Sequence, residues 1–181
     1  ACSAIAVVAG IATSASAGLY VSSDPSIFSP FNNAQVDVYW EYSNAGYTGE
    51  LQWVYTAFES SPQGLWTNKK YNGVDGATSG QSYQLTRLFA QGERVDFSYA
   101  ILKGKKDVFS TFEQADWAQF DVNAENPMDV LVRVEDIRYP GGDRDHNDAV
   151  FRVVFSQTTV PSPGAMALMG VGGVFMVRRR R

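Results

Sequence analysis

Asp129-Val-Leu-Val-Arg-Val-Glu-Asp136, followed by Ile137-Arg-Tyr-Pro-Gly-Gly-Asp-Arg-Asp-His-Asn-Asp148 and then Ala149-Val-Phe-Arg-Val-Val-Phe-Ser156, is the stretch that decides the fold. The first arm alternates, with Val130, Val132 and Val134 on one face. The second arm puts Phe151, Val153 and Phe155 on one face. A period of two is the pattern of a half-buried strand. Pro140-Gly141-Gly142 between the arms forces a turn, because glycine adopts backbone angles that other residues resist. The stretch therefore predicts strand, acidic loop, strand. Five carboxylates, Glu135, Asp136, Asp143, Asp145 and Asp148, crowd one end of the predicted hairpin. Like charges packed so closely are costly unless something positive sits among them.

Asp143, Asp145 and Asn147 recur at every second residue, as oxygen ligands do in loops that wrap calcium. The loop is not an EF-hand, since Asp148 stands where the invariant Gly belongs and Val154 where the bidentate Glu would be. Glu135 and Asp136, at the end of the preceding strand, supply the missing charge. The expected metal ligands are thus Glu135, Asp136, Asp143, Asp145, Asn147 and Asp148, with Ca2+ as the ion. The plainer alternative is an Asp/Asn-rich turn bonded to its own backbone, with Arg138, Arg144 and Arg152 pairing the acids. His146 lies between the alternating candidates and is expected to face solvent. A zinc site would need several His or Cys, and the chain outside its N-terminal stretch has one His and no Cys.

Glu135-Asp136, then Gly141-Gly142-Asp143-Arg144-Asp145-His146-Asn147-Asp148, then an apolar strand, resembles an uncharacterised domain of bacterial adhesins. The same domain recurs in secreted proteins that end in a PEP-CTERM sorting signal. The motif match runs from Glu135 into the second strand, and the domain resemblance extends back to roughly Gln81. It implies an extracellular β-domain that binds calcium and has no established catalysis.

Both chain ends carry a reading of their own. Ala1 to Ala17 is apolar and small and closes on Ala15-Ser16-Ala17, the small-x-small pattern of a secretory cleavage site. No initiator Met or basic n-region precedes it, so the start is read as truncated. At the other end, Val160-Pro161-Ser162-Pro163-Gly164 leads into 13 apolar or small residues, Ala165 to Val177, closed by Arg178 to Arg181. A span usually needs about twenty apolar residues, so residues 165–177 make a short helix suited to transient membrane insertion. Polyarginine would hold the cytoplasmic side. Pro-x-Pro, short apolar helix and Arg cluster together resemble a PEP-CTERM tail, which implies an exosortase-type sorting protease as partner. Ser162 stands where the name-giving Glu would be. The expected organisation is 1–17 signal peptide, 18–160 one domain, and 161–181 sorting tail, in a protein exported to the outer surface or extracellular matrix.

Composition narrows the function classes. Of the 15 basic residues four are Arg178 to Arg181, leaving 11 against 19 acidic ones in the rest of the chain. That balance excludes a nucleic-acid binder, which needs clustered Lys and Arg. The one cysteine, Cys2, permits no disulfide framework. A single His removes most routes to a hydrolytic triad. A glycosidase acid pair is also disfavoured, because nearly all the acids fall in one small loop.

Between the ends, the residues predict short strands and no long helix. Leu19 to Ser22 leaves room for a short strand, Val36 to Tyr42 alternates, and a further strand runs from about Glu50 to Glu59. Ser60 to Gln81 reads as a long Gly/Ser/Asn loop. Strands resume at Ser82 to Phe89 and Arg94 to Lys103, the latter with Val95, Phe97, Tyr99 and Ile101 on one face. Val108 to Val122 fits either a helical turn or a strand. The fold class this predicts is all-β, an antiparallel β-sandwich or jelly roll as a single domain. Most aromatics then pack inward. Trp66 is the exception, lying in the 60–81 loop beside Lys69, Lys70 and Tyr71. Trp66 and Tyr71 are the candidates for a sugar contact. Two readings follow: a non-enzymatic envelope or matrix protein with a calcium-stabilised loop, or a carbohydrate-binding module contacting extracellular polysaccharide.

Overall fold

The computed structural model describes residues 24–54, 62–138 and 140–158. In chain order its strands are β1 (Ile27–Phe28), β2 (Ala34–Tyr42), β3 (Thr48–Val54), β4 (Gln63–Thr67), β5 (Ser82–Phe89), β6 (Arg94–Lys103) and β7 (Val108–Ser110). A 3₁₀ helix (Gln114–Gln119) follows, then β8 (Phe120–Asn123), β9 (Asp129–Val134) and β10 (Ala149–Gln157). Two antiparallel sheets result. One runs β1-β6-β3-β4 with β7 also on β6; the other runs β5-β2-β10-β9-β8.

The hairpin forms in the register its alternation requires. Val134 lies opposite Ala149, Val132 opposite Phe151 and Val130 opposite Val153. On its other side β10 pairs with β2, where Trp40, Val38 and Val36 face Phe151, Val153 and Phe155. These inward side chains meet Leu51, Trp53, Val95, Phe97 and Tyr99 of the opposite sheet in one core. Phe97 and Phe151 bridge the sheets with ring centroids 5.1 Å apart, and Trp53 meets Phe89 edge-on at 6.4 Å. The architecture is the expected β-sandwich.

Three expectations change in detail. Residues 60–81 are not loop throughout, because β4 lies within them and pairs with β3, Leu51 opposite Trp66. This edge strand is short, contains Gly64 and buries neither face fully, so it leaves no period-two signal. The expected strand from Glu50 begins two residues earlier, at Thr48, and is followed to Val54; residues 55–61 lie outside the described residues. The ambiguous 108–122 stretch contains both alternatives in succession, the 3₁₀ helix and then β8. The readings of 1–17, of Leu19 to Ser22 and of 161–181 also lie outside the described residues. Among those described, no helix is long and apolar enough to cross a membrane.

Candidate cation site

Where β9 ends, the chain turns its first two carboxylates inward. Glu135 and Asp136 are each 3% exposed, and Asp148, at the entry to β10, is 6% exposed. Backbone amides hold all three. The N–H of Arg144 donates to Glu135 Oε2 at 3.1 Å, that of Tyr47 to Asp136 Oδ2 at 2.9 Å, and that of Asp136 to Asp148 Oδ2 at 2.7 Å. Glu135 also accepts from the Ile137 N–H, and the Asp136 and Asp148 side chains are hydrogen-bonded to one another. The β2–β3 connection clasps the same loop: Ser43 Oγ donates to the Asp148 carbonyl at 2.6 Å, and Asn44 N–H to the Asn147 carbonyl at 2.9 Å.

The loop reaches this shape through left-handed backbone at Gly142, Arg144 and His146, with φ of 74°, 62° and 48°. Gly142 has a second reason to be glycine, since a Cβ there would overlap the Glu135 carboxylate. The same winding carries His146 inward, contrary to expectation. It is 5% exposed, with Nε2 3.2 Å from the Ala118 carbonyl.

Two overlapping sets of carboxylates emerge. Glu135, Asp136 and Asp148 form a buried set, and Glu135, Asp143 and Asp145 form one open to solvent. In each set one oxygen per residue lies within 4.8 Å of the others. Five of the six expected ligands thus converge, with Glu135 common to both sets. Asn147 stands apart: its side-chain amide donates to Asp145, and its N–H reaches Asp145 Oδ1 at 3.2 Å. The self-bonded turn is therefore present, over that pair and also where Glu135 and Asp148 accept the loop's own N–H groups of Arg144 and Asp136.

The arginine part of the plainer alternative does not hold for Arg138 and Arg152. Arg138 is spent on Asp107, at 2.9 and 3.0 Å, on Asp116 at 2.7 Å, and over the Phe109 ring. Arg152 pairs with Asp129, one strand over on the outer face of the hairpin, far from the loop end. Lys69 does act on the cluster: it draws the Asp136 carboxyl down while its Nζ donates to the Ala45 and Gly46 carbonyls.

Electrostatics follow from this packing. Burial pushes the Asp148 carboxyl up to about 7; the Asp136 N–H opposes it, and the charges of Asp136 and Glu135 add to it. Burial also raises Glu135, helped by Asp143, and raises Asp136 against the pull of the Tyr47 N–H and Lys69. Tyr99, fully buried, is held protonated by burial and by the charges of Asp136 and Asp148. Buried, mutually repelling carboxylates with only oxygen donors suit a hard divalent cation such as calcium, which takes six to eight oxygens in flexible geometry. Zinc would want nitrogen or sulfur, and the one imidazole nearby points its Nε2 at Ala118.

The other candidates lie elsewhere. Trp66 is on β4, half-buried, with its ring edge-on to Trp40 and to Tyr83 at 6.3 Å each, so it closes one side of the sandwich. It does line a groove of about 580 Å³ with Tyr71, Asn72, Asp75 and Gln81. Trp66 and Tyr71 thus line one groove, and the indole is less exposed than expected.

No protein-family model and no curated protein matches the chain. Among solved structures it is similar to a high-affinity mannose-binding lectin of Ralstonia solanacearum, with a TM-score of 0.43 and 16% identity over 76% of this chain and 99% of that one. It is also similar to the Chromobacterium violaceum lectin CV2L, solved in complex with alpha-methyl-fucoside, with a TM-score of 0.40 and 12% identity over 76% and 99%. Overlap at this level says nothing about what this chain binds.

Sequence reasoning missed Tyr47, Ser43, Lys69 and Tyr99. All are far from the loop along the chain, and two act through backbone or hydroxyl groups that leave no motif.

Proposed function

We propose that the chain is an exported, non-enzymatic envelope or matrix domain whose acidic loop is closed by a divalent cation, calcium by its donor set. The observation that carries this is the buried set Glu135, Asp136 and Asp148, oriented by three backbone amides and not neutralised by Arg138 or Arg152. Burying several carboxylates together costs several kcal/mol unless an opposite charge joins them. Calcium would supply that charge. Asp143 and Asp145 would complete the shell from the solvent side. Calorimetric titration of calcium into chelator-treated protein tests the reading. A dissociation constant of about 10⁻⁴ to 10⁻³ M is expected, the range of extracellular modules, with Asp136→Asn weakening it at least tenfold. No heat in millimolar calcium would reject the site.

Export and sorting rest on the sequence of the two ends. Removal by an exosortase-type protease predicts a surface-released form lacking everything after about Pro163, which intact-mass analysis reads directly. Arg178 to Arg181 still attached would leave a tail anchor instead.

A carbohydrate-binding reading is favoured by one observation, the groove shared by Trp66 and Tyr71. An aromatic wall flanked by Asn72, Asp75 and Gln81 offers apolar contact and hydrogen bonds to a polyhydroxylated ligand. Glycan-array binding that persists unchanged in Trp66→Ala would remove this groove from consideration.

A further inference from the structure

The outer face of the β5-β2-β10-β9-β8 sheet carries a second groove, of about 470 Å³, across β2, β10, β9 and the end of β8 with the turn that follows it. Its wall is built by an irregularity in pairing. Between Val150 and Phe151 the register with β2 shifts, so that Val150 lies opposite Tyr42 and Phe151 opposite Trp40. Strict alternation would send Tyr42 to the core side with Trp40. Instead Tyr42 is 52% exposed and lines the groove together with Glu41. Bulges of this kind re-aim side chains and recur beside binding sites.

The polar groups around the ring are arginines, asparagines and the carboxylates of Glu41, Glu125 and Asp129. The arginines are already neutralised: Arg152 by Asp129, with its Nε 2.9 Å from Oδ1, and more loosely by Glu41, with the same Nε 3.8 Å from Oε1, and Arg133 by Asp121 at 2.8 Å. The turn asparagines use their oxygens locally. Asn123 Oδ1 accepts the Glu125 N–H and Asn126 Oδ1 accepts the Met128 N–H, leaving both amide NH₂ groups to donate into the groove. An anionic ligand would find no uncompensated cation there. A neutral polyhydroxylated chain would find an exposed ring to stack on, amide donors, and the Glu41 carboxylate as acceptor.

We propose that this face binds a neutral oligosaccharide, with Tyr42 as the stacking platform and Asn123, Asn126 and Glu41 as hydrogen-bonding partners. The groove crosses four adjacent strands, so three strand spacings give a width of about 14 Å, and the volume falls in the range of small-molecule sites. The proposal rests on the carbohydrate-binding reading but places a site on the opposite sheet from Trp66, and the two separate by experiment. Cellohexaose, mannohexaose and maltohexaose are titrated into the full chain in calcium, with hexagalacturonate as the anionic comparison. At least one neutral hexasaccharide is expected to bind with a dissociation constant near 10⁻⁴ M. Tyr42→Ala is expected to weaken that binding at least tenfold without moving the melting midpoint, and Tyr42→Phe to retain most of it. Loss in Trp66→Ala but not in Tyr42→Ala overturns this proposal and leaves the other groove standing. Binding of hexagalacturonate alone, or of no hexasaccharide at all, overturns it as well.

Discussion

Calcium at a hundredfold excess over its dissociation constant, about 10 mM for a constant of about 10⁻⁴ M, is expected to raise the melting midpoint by about 5 to 10 °C over chelator at pH 7.5. An ion that binds the folded loop and not the unfolded chain stabilises by mass action, roughly 2.7 kcal/mol at a hundredfold excess over the dissociation constant. For a domain of this size that free energy corresponds to a shift of this order. The response should depend on pH in opposite directions with and without the ion. Asp148 is raised from its ordinary 3.8 to about 7 in the fold. Its contribution to stability is therefore fully present below about pH 4 and is lost as pH rises through 7, because the unfolded chain gives up the proton first. Without calcium the midpoint should fall between pH 5 and pH 8. Calcium binds the deprotonated carboxylates, so its increment should grow over the same interval. Asp148→Asn removes the charge and keeps the shape: the chelated protein should melt higher than wild type, with a flatter pH profile and a diminished calcium shift. Scanning calorimetry at pH 5, 6.5 and 8 decides the matter. A calcium increment that is constant across pH, or that survives Asp148→Asn intact, contradicts the site.

The second large effect concerns the contact between sheets. Phe151→Ala should cost about 3 to 5 kcal/mol, the usual penalty for emptying a buried phenylalanine, and lower the midpoint by on the order of 10 to 15 °C. Phe151 is fully buried, lies between β9 and β2 in the middle of its sheet, and meets Phe97 across the sandwich. Val154, three residues on and on the outer face of the same strand, provides the comparison. Its truncation to Ala should cost less, about 1 to 2 kcal/mol, because Val154 is only partly buried and loses two methyl groups where Phe151 loses a whole ring. Denaturant unfolding of the two variants checks this. Equal losses at both positions would mean that β10 does not bury one face and present the other to solvent.

Much of this architecture was legible in the chain because it depends on short-range periodicity. The alternation of Val130, Val132 and Val134, and of Phe151, Val153 and Phe155, already assigned both hairpin faces, and that of Val95, Phe97 and Tyr99 did so for β6. Period-two burial is a local property, and each of these strands has a buried side to impose it. The edge strand β4 is only partly buried, with Leu65 and Trp66 packed against the core, and its sequence carries no period-two pattern.

The loop divides along the same physical line. That Glu135, Asp136, Asp143, Asp145 and Asp148 crowd one end of a hairpin follows from the sequence by itself, since the strands on either side bring them there. Which of them are buried was decided by the tertiary structure, because burial depends on what packs over the loop. Tyr47 and Ser43 come from the β2–β3 connection, Lys69 from beyond β4, and Gln119 from the end of the 3₁₀ helix, where its carbonyl accepts the Glu135 N–H. Charge pairing was decided in the same way. Arg138 and Arg152 sit within a few residues of the acids in sequence, yet the loop path after β9 points one at Asp107 and Asp116 and the register of β10 points the other at Asp129. Proximity along the chain sets which charges can meet; direction, which only the folded backbone supplies, sets which ones do.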